Sequence, residues 1–397
     1  MKLLFLCHRI PYPPDKGDKI RSYHELRWLA ARHDVDLITT LDDPADRRHV
    51  ATVSAMVRRA TIVELPRVPA ALRAMASIAV GRSATEAWFT PASFRAAFRE
   101  AIATTRYDAV LVFSSAHARL ALSCGVPAVL DFVDVDSSKW TAYARSQAPW
   151  SPRRWIYAIE GARMAALEAR TSASAYATVV CAQREVEALR AFATPRRLEL
   201  VPNGTDTEVF RPDPAVAREP LVVFSGAMDY RANADAVLWF ATEAWPRIRE
   251  RVPQARFSIV GSNPGPAVRA LAERDGIEVT GRVERVQPWL QRARVAVAPL
   301  QVARGIQNKV LEALACGTPV VATPAALEGI PGSRGTVAAA TPEELADAVV
   351  KLLATPPLAD RLGADGRAFV LEASTWDSRL SRLDELLREA ASSRAAR

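Results

Sequence analysis

The chain has 397 residues, 49% of them hydrophobic, with 52 Lys and Arg against 44 Asp and Glu, 27 Pro, 17 Gly and four Cys. This composition excludes a disordered tail, a disulfide scaffold and a collagen-like fibre, and the length accommodates two or three domains, each with its own core. The net charge of +8 is unevenly placed: residues 1–205 hold 28 basic and 20 acidic side chains, whereas residues 206–397 hold 24 of each. Six of the basic residues are Lys (Lys2, Lys16, Lys19, Lys139, Lys309 and Lys351) against a background of Arg and Ala. Where a site needs a compact ammonium, Arg does not substitute for it.

Residues 2–7, KLLFLC, form a short apolar run that reads as a strand, too short for a signal h-region or a membrane span. Cys7, Cys124, Cys181 and Cys316 lie far apart, without metal-ligand spacing, and read as buried free thiols in a reducing cytoplasm. After the first run comes the loop Pro13, Pro14, Asp15, Lys16, Gly17, Asp18, Lys19, then a helical stretch with Ile20, Tyr23, Leu26 and Leu29. Gly17 lets the backbone approach a ligand closely, Lys16 and Lys19 add positive charge, and Asp18 either faces that ligand or caps the helix. Further apolar runs at 35–41, 61–65, 109–113, 128–132 and 178–181 alternate with helical stretches, the pattern of βα units on a parallel sheet buried on both faces.

His8 ends the first run and His117 follows the run at 109–113, so both fall at the same sheet edge, where an imidazole can hydrogen-bond a polar ligand. In DFVDVDSSKW, 131–140, Asp134 and Asp136 lie just past a strand's carboxyl end, where ligand-binding groups or a general base belong. A divalent metal or a helix cap are the competing uses. The stretch APWSPRRWIY, 148–157, has the composition of a peripheral membrane contact. It equally suits a helix opening at Ser151 and Pro152 with its aromatics packed inside.

The Pro-, Asp- and Gly-bearing segment 202–220 reads as a linker, after which the alternation restarts with runs at 221–225, 256–260, 277–280, 295–298, 319–322 and 336–339. Helices begin near Asn233, Pro264, Val286 and Ile306. The fold class is therefore α/β, two doubly wound Rossmann-like domains at 1–203 and 204–375, with ligands expected beyond the strands' carboxyl ends in a central cleft. A last helix, 376–397, carries Trp376, Leu380, Leu383, Leu386 and Leu387 on one stripe and is expected to return to the first domain.

The sharpest segment is ARGIQNKVLEALACGTPVVAT, 303–323. Its loop Arg304, Gly305, Ile306, Gln307, Asn308 opens a helix whose free N–H groups and dipole make an anion site. Arg304 and Lys309 add full charges, and Glu312, one turn into the helix, is placed to accept two hydrogen bonds from a diol such as a ribose. A diphosphate joined to a ribose suits this loop.

The words EALACGTPVVA, 312–322, resemble the donor-binding region of the GT-B glycosyltransferases of the GT4-like group. The resemblance runs the length of the chain through HRIPYPPDKGDKIRSYHELRWLA, VPNGTDTEVF, VTGRVERVQPWL and the Trp-bearing C-terminal helix. The opening words, with DFVDVDSSKW and GIQNKVLEALA, are most similar to the sugar transferases of PEP-CTERM-associated exopolysaccharide clusters. The resemblance implies a nucleoside-diphosphate sugar as donor, a lipid-linked or oligosaccharide acceptor, a retaining transfer, and no metal or other cofactor. The family's usual phosphate cations are partly missing, and Lys309, Arg304 and Arg231 are the residues expected to supply that charge to the departing diphosphate, with Gly17, Asn233, Gly305, Ile306, Gln307, Asn308 and Glu312 around the donor and Arg282 near its base. Asp134 and Asp136 then serve the reacting acceptor, flanked by Lys16, Asp18, Lys19 and His117. Two positions depart from the family: Arg304 stands where it usually has Glu, and Ala227 follows Gly226 where an Arg is common. A sugar-nucleotide epimerase or phosphorylase, or a non-catalytic partner in polysaccharide assembly, would share the fold. Nucleic-acid binding, raised by a pI near 9.6, has no RNP, zinc or helix-turn-helix pattern behind it.

Overall fold

A computed structural model describes residues 1–14, 17–303 and 306–395. The chain divides into two units, Met1–Pro202 with Leu380–Arg397, and Asn203–Arg379. The first holds seven strands, β1 (Lys2–Cys7), β2 (Asp34–Leu41), β3 (Arg59–Glu64), β4 (Ala109–Phe113), β5 (Ala128–Val133), β6 (Ala177–Val180) and β7 (Leu198–Leu200). All pair in parallel in the order β3-β2-β1-β4-β5-β6-β7. Five consecutive residues of β1 and all five of β4 are buried. Such strands have helices on both faces, which is why they read as unbroken apolar runs.

Four helices of this unit concern the site and its surroundings: α1 (Gly17–Ala30), α2 (Arg67–Ala79), α3 (Asp136–Ser146) and α4 (Pro152–Ser174). Helix α1 is fixed to the sheet by a buried ionic cluster. Arg21, fully buried, donates from Nε and Nη2 to Asp131 on β5 at 2.8 and 2.6 Å and from Nη1 to the Val201 carbonyl. It also pairs with Glu25 one turn on. Burial, then the neighbouring Asp131 charge, pushes the Glu25 carboxyl well above its usual range.

The second unit holds β8 (Glu219–Ser225), β9 (Arg256–Val260), β10 (Ile277–Gly281), β11 (Ala293–Ala298), β12 (Val320–Ala322) and β13 (Thr336–Ala338), parallel in the order β10-β9-β8-β11-β12-β13. Its helices include α5 (Arg231–Trp239), α6 (Asn308–Ala315) and α7 (Pro356–Ala373), and α8 (Trp376–Ala395) follows. Residues 380–395 of α8 belong to the first unit, where His33 Nε2 meets Asp384 at 2.5 Å and the Tyr176 hydroxyl donates to Glu389 at 3.1 Å. Both units are α/β, doubly wound and Rossmann-like. Strand order reverses between β1 and β4 in one and between β8 and β11 in the other, the switch points beside which open α/β sheets bind ligands.

Helix α6 shows why the words CGTP follow it. Gly317 takes φ +68°, its N–H bonds the Leu314 carbonyl and the Thr318 N–H bonds that of Ala313, the Schellman closure of a helix. Arg218 donates to the Gly317 carbonyl at 2.7 Å and Arg367 of α7 to that of Ala315 at 2.5 Å, so the remaining C-terminal carbonyls are satisfied. The far end of α6 is thereby held rigidly while its N-terminus faces the β8/β11 switch point.

Candidate functional site

In the second unit three elements converge beyond the carboxyl end of β8. Lys309, in the first turn of α6, donates from Nζ to Asn233 Oδ1 of α5 at 2.5 Å, and Nζ lies 4.7 Å from the centroid of the Phe224 ring on β8. Asn233, 5% exposed, donates in turn from Nδ2 to the Ala227 carbonyl at 2.8 Å. A Cβ on Gly226 would come within 2.7 Å of Asn233 Nδ2 and 3.4 Å of Lys309 Nζ, so only glycine admits this packing. Burial lowers Lys309 to about 8, with Glu312 opposing the shift. Burial likewise raises half-buried Glu312 to about 7, with Lys309 opposing. An anion arriving beside Lys309 raises its pKa again and favours the ammonium.

Ile306 and Gln307 are half-buried immediately before α6, and Asn308 is exposed at its first residue. Arg282 is exposed just past β10. Arg231 sits at the start of α5 with its side chain 92% exposed and paired to Asp235 at 3.3 Å, so its guanidinium points to solvent and is no member of the Lys309 cluster. Arg304, Gly305 and Lys16 lie outside the described residues. Gly17 and Asp18 open α1, and the Asp18 side chain lies outside the described structure too.

In the first unit a second polar cluster gathers at the end of β5. Val133 holds φ +64°, a costly conformation for a β-branched residue, at a shift in the ladder with β6. Beyond it, Lys139 pairs with Asp134 at 3.1 Å and Asp136 at 3.5 Å. Burial by itself lowers the Lys139 pKa, but Asp136 and Asp134 together carry it above its ordinary value. The Ser115 hydroxyl donates to Asp136 at 2.6 Å, and the Ser137 hydroxyl to Glu168 at 2.5 Å. Burial raises Glu168 to about 7, opposed by the Ser137 hydrogen bond.

At the β1/β4 switch point His117 is fully buried, stacked on Phe94 at 4.0 Å, with Nδ1 3.2 Å from the Thr90 hydroxyl and Nε2 buried without a hydrogen-bond partner among the described residues. Burial and then nearby His8 depress it to about 3, so the ring is neutral. His8 stacks on Phe113 at 5.9 Å.

Several expectations change. Lys19 is 3% exposed with Nζ on Asp46 at 2.6 Å, so that ammonium neutralises an internal carboxylate instead of standing open to a ligand. Cys124 and Cys181 are half-buried, unlike buried Cys7 and Cys316. Pro152 does open a helix behind Ser151, but Trp150 and Trp155 are exposed, so the aromatics there are not packed inside. Sequence reasoning missed Lys139, Glu168 and the Phe224 ring. Lys139 carried one local signal: it is a scarce Lys three residues after Asp136.

Two family models match the chain, the glycosyl transferase 4-like domain over residues 20–204 and the glycosyl transferases group 1 over residues 219–355. The chain belongs to the GT4-like glycosyltransferases. The glycosyltransferase is 33% identical over 228 residues to the GDP-mannose-dependent alpha-(1-6)-phosphatidylinositol monomannoside mannosyltransferase of Mycolicibacterium smegmatis, covering 50% of this chain and 58% of the relative. It is 33% identical over 213 residues to the D-inositol 3-phosphate glycosyltransferase of Segniliparus rotundus, covering 47% and 45%. The matches thus span about half the length of these curated relatives. Among solved structures, the sucrose-phosphate synthase of Thermosynechococcus elongatus superposes with a TM-score of 0.66 at 19% identity, covering 99% of this chain and 100% of that one. Anabaena HepE, solved with UDP and glucose, gives 0.65 at 13% identity, covering 98% and 99%. These two likenesses concern the GT-B fold.

Proposed function

We propose that the glycosyltransferase moves a sugar from a nucleoside diphosphate to a hydroxyl of a lipid-linked or oligosaccharide acceptor in exopolysaccharide or cell-surface polysaccharide assembly, with retention at the anomeric carbon. The observation that carries this reading is the Lys309, Asn233 and Glu312 cluster at the head of α6, beside the β8/β11 switch point. When the glycosidic bond to the diphosphate breaks, negative charge grows on the leaving oxygen. The Lys309 ammonium and the N–H groups at the start of α6 stabilise it where it develops. Glu312 accepts from the ribose diol. Asp134 and Asp136, balanced by Lys139, orient the acceptor hydroxyl, and the unpartnered His117 Nε2 meets a sugar hydroxyl.

The likeness of the opening segment and of DFVDVDSSKW to the PEP-CTERM-associated transferases supports the exopolysaccharide role. The name of the M. smegmatis relative couples GDP-mannose to a lipid acceptor, which supports a lipid-linked substrate and a peripheral station at the inner face of the cytoplasmic membrane. Thermal-shift screening against UDP, GDP and ADP and their glucose or mannose conjugates tests the reading. One nucleoside diphosphate is expected to stabilise the protein and its sugar conjugate to be slowly hydrolysed. No stabilisation by any of them would overturn it.

A further inference from the structure

We propose that two acid-free segments of the first unit form one docking surface for an anionic lipid bilayer. The proposal deepens the membrane-facing part of the reading above by naming the surface, half of which lies on a helix the sequence reading did not single out.

Helix α2 turns an apolar stripe to solvent. Val68, Leu72 and Met75 recur at helical spacing and Val80 follows just past its end; Val68 is 72% and Val80 71% exposed. The approach to α4 does the same, with Trp150 83% and Trp155 66% exposed, and with Ile156 and Ile159 exposed beside them. The two stretches are joined at a buried seam. The Glu160 carboxylate of α4 accepts from the Ser83 hydroxyl and from the Ala84 and Thr85 N–H groups. Arg163 donates to the Arg82 carbonyl at 3.0 Å and the Ile78 carbonyl at 2.8 Å.

Charge selects the partner. Residues 65–85 contain Arg67, Arg73 and Arg82, residues 137–159 contain Lys139, Arg145, Arg153 and Arg154, and neither segment holds an acid. Lys139 is paired with Asp134 and Asp136, which leaves six Arg among exposed Trp, Ile, Leu, Val and Met on a chain whose whole net charge is +8. Soluble proteins rarely leave so much large apolar surface open. Trp and aliphatic side chains interleaved with Arg and free of acids match the lipid interface, where the apolar groups enter the headgroup boundary and each cation gains from anionic lipid. No helix among the described residues is long and apolar enough to cross a membrane, so the contact is at the surface.

Co-sedimentation of the full chain with vesicles of phosphatidylglycerol and phosphatidylethanolamine, against phosphatidylcholine alone, tests the proposal. Binding is expected to the anionic vesicles and to weaken with salt. Leu72→Ser/Met75→Ser on α2 and Trp155→Ser/Ile156→Ser on α4 are each expected to weaken it about 10-fold. Arg153→Glu/Arg154→Glu is expected to weaken it at least as much, about 5-fold per charge lost. Thermal shift by UDP or GDP on the same preparations reports that each variant is folded. Equal binding to both vesicle types, or full binding by the α2 variant, would overturn the proposal. So would self-association of the wild type that the same variants abolish, because the face would then join copies of this chain. Failure to bind vesicles with donor hydrolysis intact overturns this inference alone, whereas vesicle binding without recognition of any nucleotide overturns the transferase reading alone.

Discussion

Replacing Lys309 by Met keeps the length and packing of the side chain and removes its ammonium. In the folded protein Nζ holds Asn233 at 2.5 Å over the Phe224 ring. Losing it leaves an amide oxygen of a 5%-exposed residue without its donor, a stability cost of about 1–3 kcal/mol. If the same ammonium holds the diphosphate, a charge-assisted hydrogen bond worth about 1.5–3 kcal/mol disappears, roughly 10- to 150-fold in affinity for UDP or GDP. The pH dependence separates these two roles. The ammonium is the binding form of Lys309, so affinity falls as pH rises through about 8. The carboxylate is the binding form of Glu312, so affinity also falls as pH drops through about 7. Calorimetric titration of wild type across neutral and mildly alkaline pH is expected to give a bell between those values, and the Met variant only its acid limb. Wild-type affinity in the variant, with the alkaline limb intact, would refute the assignment and leave Lys309 as a packing residue for Asn233.

Glu312→Ala should weaken UDP and GDP by roughly 5- to 30-fold relative to inorganic pyrophosphate, because the ribose contact is lost for the nucleotides alone, whereas the loss of the charge that supports Lys309 acts on all three ligands; calorimetry with the nucleotides and pyrophosphate decides it. Gly226→Ala drives a methyl to within 2.7 Å of Asn233 Nδ2, and should displace that side chain and cost at least about 10-fold in nucleotide affinity. Arg21→Met strands Asp131 and Glu25 without their cation in a fully buried site, and should cost about 3–5 kcal/mol in denaturant unfolding. A change under 1 kcal/mol, at the level of an exposed pair, would show that cluster to be dispensable.

Much of the fold was legible because parallel strands buried on both faces are written as unbroken apolar runs, as in KLLFLC and AVLVF. The CGTP turn was legible for a local reason as well, since a helix that closes through a left-handed residue needs glycine there. What stayed hidden was long-range pairing. Arg21 meets an aspartate 110 positions away and Lys19 one 27 positions away, and no periodicity records such partners. Asp131 was visible as an acid inside an apolar strand, yet its use as an anchor for α1 was not. The α2 sequence RVPAALRAMASIA shows that an apolar stripe exists, but not whether protein covers it.

The central claim is that α6 presents Lys309 and Glu312 to a nucleoside diphosphate whose sugar is transferred. The most direct test is the release of nucleoside diphosphate from UDP-glucose, GDP-mannose and ADP-glucose by wild type and by Lys309→Met. One donor is expected to turn over, with the variant at least about 10-fold slower. Equal rates in the two proteins, or no release from any donor that the protein binds, would contradict the account.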